Sequence, residues 1–192
     1  MSAESGMPHH PTALVPLATG FEEIEAVTLI DLLRRGGFEV TVAGLSAGSV
    51  TGAHGLAVVP DASLTMIAER SYTLIALPGG SAGADRLASD QRLRTLLQHA
   101  VATGCIVGAI CAAPRVLARA GLLDKRRVTS YPGALDNIVP ATWIYCNDPV
   151  VIDDRLVTSR GPGTAMDFSL SLIEITRGLR QRRRVESLLK RP

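Results

Sequence analysis

The sequence predicts a doubly wound α/β fold, a mostly parallel sheet with helices on both faces, and three observations predict it. Continuous apolar runs, each too short for a core helix, recur at 12–17, 39–43, 72–77 and 105–110. Stretches with helical spacing separate them, and alternation of this kind requires right-handed crossovers between parallel strands. Hydrophobic residues make up 46% of the chain but aromatics only 4%, which moves the core towards Val, Leu, Ile and Ala, the residues of strands buried on both faces. A length of 192 residues suits one core. The expected organisation is therefore a disordered tail at 1–11 and a single α/β domain at 12–192.

Residues 1–11, MSAESGMPHHP, are polar and carry two prolines, so His9 and His10 read as solvated rather than as metal ligands. Thr12 to Leu17 reads as a strand. From Glu22 to Arg35 the pattern is helical, with Ile24, Val27, Leu29, Ile30, Leu32 and Leu33 on one broad face before Gly36 and Gly37 stop it. Glu39 to Ala43 is β-branched and strand-like, and the Gly-interrupted segment Val50 to Pro60 predicts a small hairpin or edge pair. Ser63 is placed to cap a short helix reaching Arg70. Tyr72 to Leu77 reads as a buried strand that ends in Pro78-Gly79-Gly80, followed by helices through Leu87 and from Asp90 to Ala102.

Cys105 to Ile110 is the fourth apolar run. A helix is expected from Cys111 to Ala120, with Pro114 near its start, where a missing N–H does no harm. Arg127 to Ser130, Pro149 to Ile152 and Arg155 to Ser159 read as strands. Gly161-Pro162-Gly163 then leads into a helix from Thr164 to Thr176, and a basic helix closes the chain.

Composition excludes several classes of function. Cys105, Cys111 and Cys146 form no C-x-x-C pair and are odd in number, so neither a disulfide framework nor a zinc knuckle is expected, and a reducing, cytoplasmic setting fits. No run approaches the ~18 apolar residues of a membrane span, and the first residues lack the pattern of a secretory signal. The net charge of +2 hides a basic C-terminus, Arg177 to Arg191. With no aromatic residue interleaved for stacking, that end reads as a solvated helix face, and specific nucleic-acid binding is not expected.

Parallel sheets of this kind bind ligands beyond the carboxyl ends of their strands, where Glu22 to Glu25, Pro78-Gly79-Gly80 and Ile110-Cys111-Ala112 could converge. At the start of a helix, the Cys111 thiol would face unpaired amides and the positive end of the macrodipole, lowering its pKa below the reference of ~8.5. The small residues from Val107 to Pro114 suit a tight nucleophile elbow. The competing reading is a buried structural cysteine, which is also the expectation for Cys105 and Cys146. No histidine follows Cys111, so a triad with a late histidine is not available.

Glu25 lies among Ile24, Ala26 and Val27, so burial would keep its carboxyl protonated and able to hydrogen-bond the sulfur. Glu22 and Glu23 read as complements to the helix start, worth ~0.3–1 kcal/mol each. Gly79 and Gly80 would let amides approach an oxyanion. Ser159 and Arg160 fall at a strand end near the same edge.

Four segments, G-F-E-E-I-E-A, L-P-G-G, A-I-C-A-A-P and T-S-R-G-P-G-T, resemble in order and spacing those of the ThiJ/PfpI superfamily, in the branch of the Parkinson-associated protein deglycase and bacterial YajL. The resemblance runs from about Thr12 to the C-terminal helix. It implies a flavodoxin-like homodimer in which Cys111 is the nucleophile, Glu25 the protonated acid and Gly80 an amide donor. It also implies activity as a glutathione-independent glyoxalase or deglycase, or a role as an oxidation-sensitive chaperone.

Two departures narrow this. Tyr131 stands where several members carry a histidine in T-x-H-P, as an aromatic does in YajL-like proteins, so proton transfer rests on Glu25 or water. Ala112 replaces the histidine of the protease-like branch, which argues against peptidase activity. The expectation is a cofactor-free, metal-free enzyme whose Cys111 attacks methylglyoxal or glyoxal, free or as adducts on proteins or nucleotides, releasing a 2-hydroxy acid. Gly79, Gly80, Ala112, Tyr131, Ser159 and Arg160 are expected to bind the oxyanion or substrate. The alternative is a redox sensor or chaperone using the same cysteine; an amidase-like or isonitrile-hydrating relative is a third.

Overall fold

The computed structural model describes residues 10–67 and 69–191, so the expected tail, His9 included, lies mostly outside the described residues. In chain order the elements are β1 (Thr12–Leu17), α1 (Glu23–Arg35), β2 (Glu39–Gly44), β3 (Val50–Thr51), β4 (Ala57–Val58), β5 (Ala62–Ser63), α2 (Leu64–Ile67) and β6 (Leu74–Leu77). Then follow α3 (Ser81–Ser89), α4 (Gln91–Ala102), β7 (Ile106–Ile110), α5 (Pro114–Arg119), β8 (Arg127–Val128) and β9 (Ile144–Tyr145). The chain closes with β10 (Val150–Asp153), β11 (Leu156–Ser159), a 3-10 turn at Pro162–Thr164, α6 (Ala165–Arg177) and α7 (Leu179–Leu189).

Seven strands form the central sheet in the order β10-β11-β7-β6-β1-β2-β5, all parallel except the β10–β11 hairpin. Helices flank this mostly parallel sheet, as the alternating pattern predicts. β6, β7 and β1 from Ala13 onward are its buried centre because their side chains are apolar on both faces. The chain leaves β1 towards β2 on one side and returns to β6 on the other. The order thus reverses between β1 and β6, which opens a crevice at their carboxyl ends.

Several elements differ from expectation, each for a tertiary reason. On α1 the buried residues are Glu25, Ala26, Leu29, Leu32 and Leu33, while Ile24 and Val27 are 58% and 47% exposed. The apolar arc of α1 is wider than the sheet and α6 can cover. Ser63 does not start a longer helix; it pairs with Gly44 in β5, and α2 ends at Ile67.

The expected strand at 127–130 is only β8, which pairs with β9 outside the central sheet. Beyond it, Thr129 N–H donates to Thr158 Oγ1 at 2.9 Å, and this draws the chain along β11 towards the crevice. The helix expected from Cys111 begins only at Pro114 and spans six residues.

Candidate active site

β7 delivers Cys111 to the crevice, and the chain turns there at once: Cys111 has φ +63°, a left-handed conformation that costs a non-glycine residue about 1–3 kcal/mol. Two main-chain bonds hold the turn. Cys111 N–H donates to Ser159 O at 2.9 Å, and Cys111 O accepts from Tyr131 N–H at 2.9 Å. A strained residue clamped by its neighbours at a strand end makes the tight turn expected from the small residues around it.

Glu25 enters from the first turn of α1 and is fully buried. Its Oε2 accepts the Gly79 N–H at 2.7 Å, while Oε1 has no hydrogen-bond partner among the described residues. Gly79 must be glycine for this meeting, because a Cβ there would lie 2.7 Å from both Cys111 Cβ and Glu25 Oε2. Gly80, at φ +86°, would press a Cβ into the main chain of Gly20, Phe21 and Glu22. The two glycines therefore let the β6 turn pass between α1 and the elbow.

Burial raises Glu25 to about 7, against the Gly79 amide and the Cys111 thiol that lower it and with Glu22 adding repulsion. The expected lowering of Cys111 is corrected. Burial first, then the charge of Glu25 and its hydrogen bond, push the thiol up to about 12, and the Gly80 and Ala112 amides only partly oppose this. A six-residue helix starting three positions later supplies little dipole, whereas desolvation of a thiolate acts directly. The two groups titrate as a pair. Near neutrality the thiol keeps its proton, and the Glu25 carboxylate beside it is poised to take it.

A cavity of about 520 Å³ opens over the sulfur, lined among others by Glu22, Gly80, Cys111, Ala112, Tyr131 and Pro162. Of the residues expected to bind substrate, Gly80, Ala112 and Tyr131 line this cavity, and Gly79 stands behind it on Glu25. Ser159 is buried, its Oγ bonded to Pro149 O at 2.8 Å and Thr164 Oγ1 at 2.6 Å, so it holds the elbow from below. Arg160 does not line the cavity; its Nη1 donates to Asn147 O at 3.2 Å.

Sequence reasoning missed Arg115 and Pro162. Arg115 lies one turn after Cys111, a spacing that was readable, while Pro162 arrives through the β11–β7 pairing.

Glu23 has a structural task. Burial works against its charge, but hydrogen bonds from the His54 ring and amide and the Leu56 amide hold it down to about 2, which ties the β3–β4 hairpin to α1. Glu22, Glu23 and His54 bring ligand-type atoms within 4.8 Å of one another, and the contacts of the His54 ring with Glu23 at 2.9 Å and Glu22 at 3.9 Å account for the grouping. Cys105 is buried and pushed up to about 11 by desolvation, as a core thiol should be. Cys146 is half-exposed beside β9, so its assignment to the core is corrected. Among the described residues no helix is long and apolar enough to cross a membrane.

Comparison with known proteins gives the family. A family model described as the DJ-1/PfpI family matches residues 11–175. The chain is 40% identical over 165 residues to protein dj-1beta of Drosophila melanogaster, covering 85% of this chain and 88% of that one. It is 40% identical over 157 residues to the glutathione-independent glyoxalase DJR-1.2 of Caenorhabditis elegans, covering 82% and 83%. Among solved structures, oxidized Toxoplasma gondii DJ-1 superimposes with a TM-score of 0.88 at 35% identity, covering 93% and 97%.

Proposed function

The chain belongs to the DJ-1/PfpI family, and from that premise we propose that it is a glutathione-independent glyoxalase acting through Cys111 and Glu25. The observation that carries the reading is the buried Glu25 carboxyl beside the Cys111 thiol, anchored through Oε2 to Gly79 and with Oε1 lacking a hydrogen-bond partner among the described residues. The relative bearing the glyoxalase name supports the substrate class.

In this mechanism the sulfur adds to the aldehyde carbon of a 2-oxoaldehyde as the Glu25 carboxylate takes the thiol proton. The C=O double bond opens to an oxyanion beside the Gly80 and Ala112 amides, and the proton from Glu25 converts it to the hemithioacetal hydroxyl. Glu25 next removes the proton from that carbon, giving an enediolate with its charge on the former ketone oxygen, and returns it to the neighbouring carbon as the hydroxyl proton passes to that oxygen. The product is a thioester. Water cleaves it, restoring the thiol and releasing a 2-hydroxy acid, so methylglyoxal plus water gives lactate. The same thiol is suited to adducts of methylglyoxal or glyoxal on proteins and nucleotides. Apart from that water, each step uses the protein's own groups.

The reading includes a cytoplasmic homodimer, supported by three free cysteines and by the exposed Ile24 and Val27 on α1. The test is lactate formation from methylglyoxal without glutathione. Wild type is expected to turn over, and Cys111→Ala is expected to lose the activity; full activity in Cys111→Ala would end the proposal.

A second reading, a redox sensor or chaperone, is favoured by the likeness to an oxidized relative. Peroxide would carry Cys111 to the sulfinate, with water as the reduced product, and protonated Glu25 would donate to a sulfinate oxygen. Quantitative sulfinate by mass spectrometry with negligible lactate formation would select this reading over the first.

A further inference from the structure

Arg115 faces two cavities. Besides the one over Cys111, it lines a neighbouring cavity of about 430 Å³ together with Arg94, Arg119, Asp85 and the Gly133–Ala134 turn. Arg115, Gly133 and Ala134 belong to both, so the two spaces share a wall. A volume of this size falls within the ~300–1,000 Å³ of small-molecule sites.

The charge of the second cavity is unbalanced. Three guanidiniums, permanently protonated, meet the single carboxylate of Asp85. Asp85 Oδ1 accepts from Arg115 Nη1 at 2.6 Å and so fixes that side chain between α3 and α5. Arg94 Nη2 donates to Gln91 Oε1 at 2.5 Å. Arg115 Nη2, Arg94 Nη1 and every guanidinium donor of Arg119 have no protein acceptor among the described residues. The Nε atoms of Arg94 and Arg115 are buried, so the bases of these two side chains are packed rather than waving in solvent. Convergent, partly packed guanidiniums with donors to spare are the chemistry that recognises a phosphate or carboxylate.

We propose that this cavity is a subsite for an anionic group, carboxylate or phosphate, carried by the substrate whose aldehyde reaches Cys111. The subsite rests on the glyoxalase reading for its link to turnover but not for anion binding itself. It makes the preferred substrate an anionic 2-oxoaldehyde or adduct rather than methylglyoxal.

The experiment compares kcat/KM for neutral methylglyoxal and for 4,5-dioxovalerate, a 2-oxoaldehyde bearing a carboxylate, in wild type, Arg94→Ala, Arg119→Ala and Arg119→Lys. Inorganic phosphate is added as a competitor, and the amide resonances of Gly133 and Ala134 are followed during its titration. Wild type is expected to prefer dioxovalerate, and each alanine variant to lower that preference about fivefold or more through KM, as loss of a charge-assisted hydrogen bond does. Arg119→Lys is expected to restore part of it. Phosphate is expected to raise KM for dioxovalerate and to shift both resonances.

An unchanged preference in both alanine variants overturns the substrate-borne subsite, even if phosphate still shifts the resonances and marks a site for free anion. Phosphate that shifts nothing and inhibits nothing overturns the anion site altogether. Resonance shifts lost in Arg119→Ala, in a protein that turns over neither aldehyde, would uphold anion binding and sink the glyoxalase reading instead.

Discussion

The Gly79 N–H donates to Oε2 of Glu25 at 2.7 Å, so the turn after β6 fixes the buried carboxyl beside Cys111 while Oε1 has no hydrogen-bond partner among the described residues. Glu25→Gln keeps an acceptor for Gly79 but removes the base. The expected result is a fall in kcat of about 10²–10⁴, the usual range for a lost general base, read as lactate formation. The thiol should move oppositely to activity: the charge of Glu25 is among the causes that raise it, so Cys111 in Glu25→Gln should ionise at lower pH, seen as thiolate absorbance. An unchanged thiol titration would show that the two groups do not communicate.

The raised carboxyl also sets a pH dependence. Burial lifts Glu25 to about 7 in the folded protein, so between the ordinary carboxylate range and about 7 the folded state binds more protons than the unfolded one. Its stabilising contribution is complete below the unfolded pKa and is lost as pH rises through about 7. The loss is on the order of 3 kcal/mol. Urea midpoints should therefore fall from about pH 5 to about pH 8 in wild type more than in Glu25→Gln. Activity should run the other way, because only the ionised carboxylate accepts the thiol proton, and kcat/KM should rise through about 7.

The centre of the fold was legible because β1, β6 and β7 are buried on both faces and appear as unbroken apolar runs. β5 and β9 were not, since two-residue edge strands exist only through the partner they pair with. Cys111 and Glu25 stood out as a thiol at an elbow and an acid among apolar neighbours. The direction of the thiol's shift did not, because a helix start is visible in the sequence and the burial around it is not. Arg115 was passed over because a lone guanidinium reads as solvated charge until a cavity is seen beside it.

Close approach makes Gly79 and Gly80 intolerant of any side chain. Gly79→Ala would set a methyl 2.7 Å from Glu25 Oε2 and Cys111 Cβ, and Gly80→Ala would strike backbone while holding φ +86°. Both variants are expected to lose about 1–3 kcal/mol, measured in urea, through overpacking and left-handed strain. Gly79→Ala should also abolish turnover in whatever fraction remains folded. A Gly79→Ala protein with wild-type kcat would mean that the carboxyl and thiol need not meet.

Ser159 offers the reverse contrast, a residue expected at the pocket edge that the structure puts beneath it. Its Oγ joins Pro149 O to Thr164 Oγ1, whereas its main-chain carbonyl, which any residue provides, holds the Cys111 amide. Ser159→Ala removes two part-buried hydrogen bonds, but Pro149 O keeps the Arg160 N–H and Thr164 Oγ1 keeps Gly161, so the cost should be about 0.5–1.5 kcal/mol of stability. The clamp on Cys111 survives the substitution, so KM should stay at its wild-type value while the urea midpoint drops. If KM rose severalfold with stability intact, the hydroxyl would have to reach substrate, and the elbow would be open on the side where β11 now closes it.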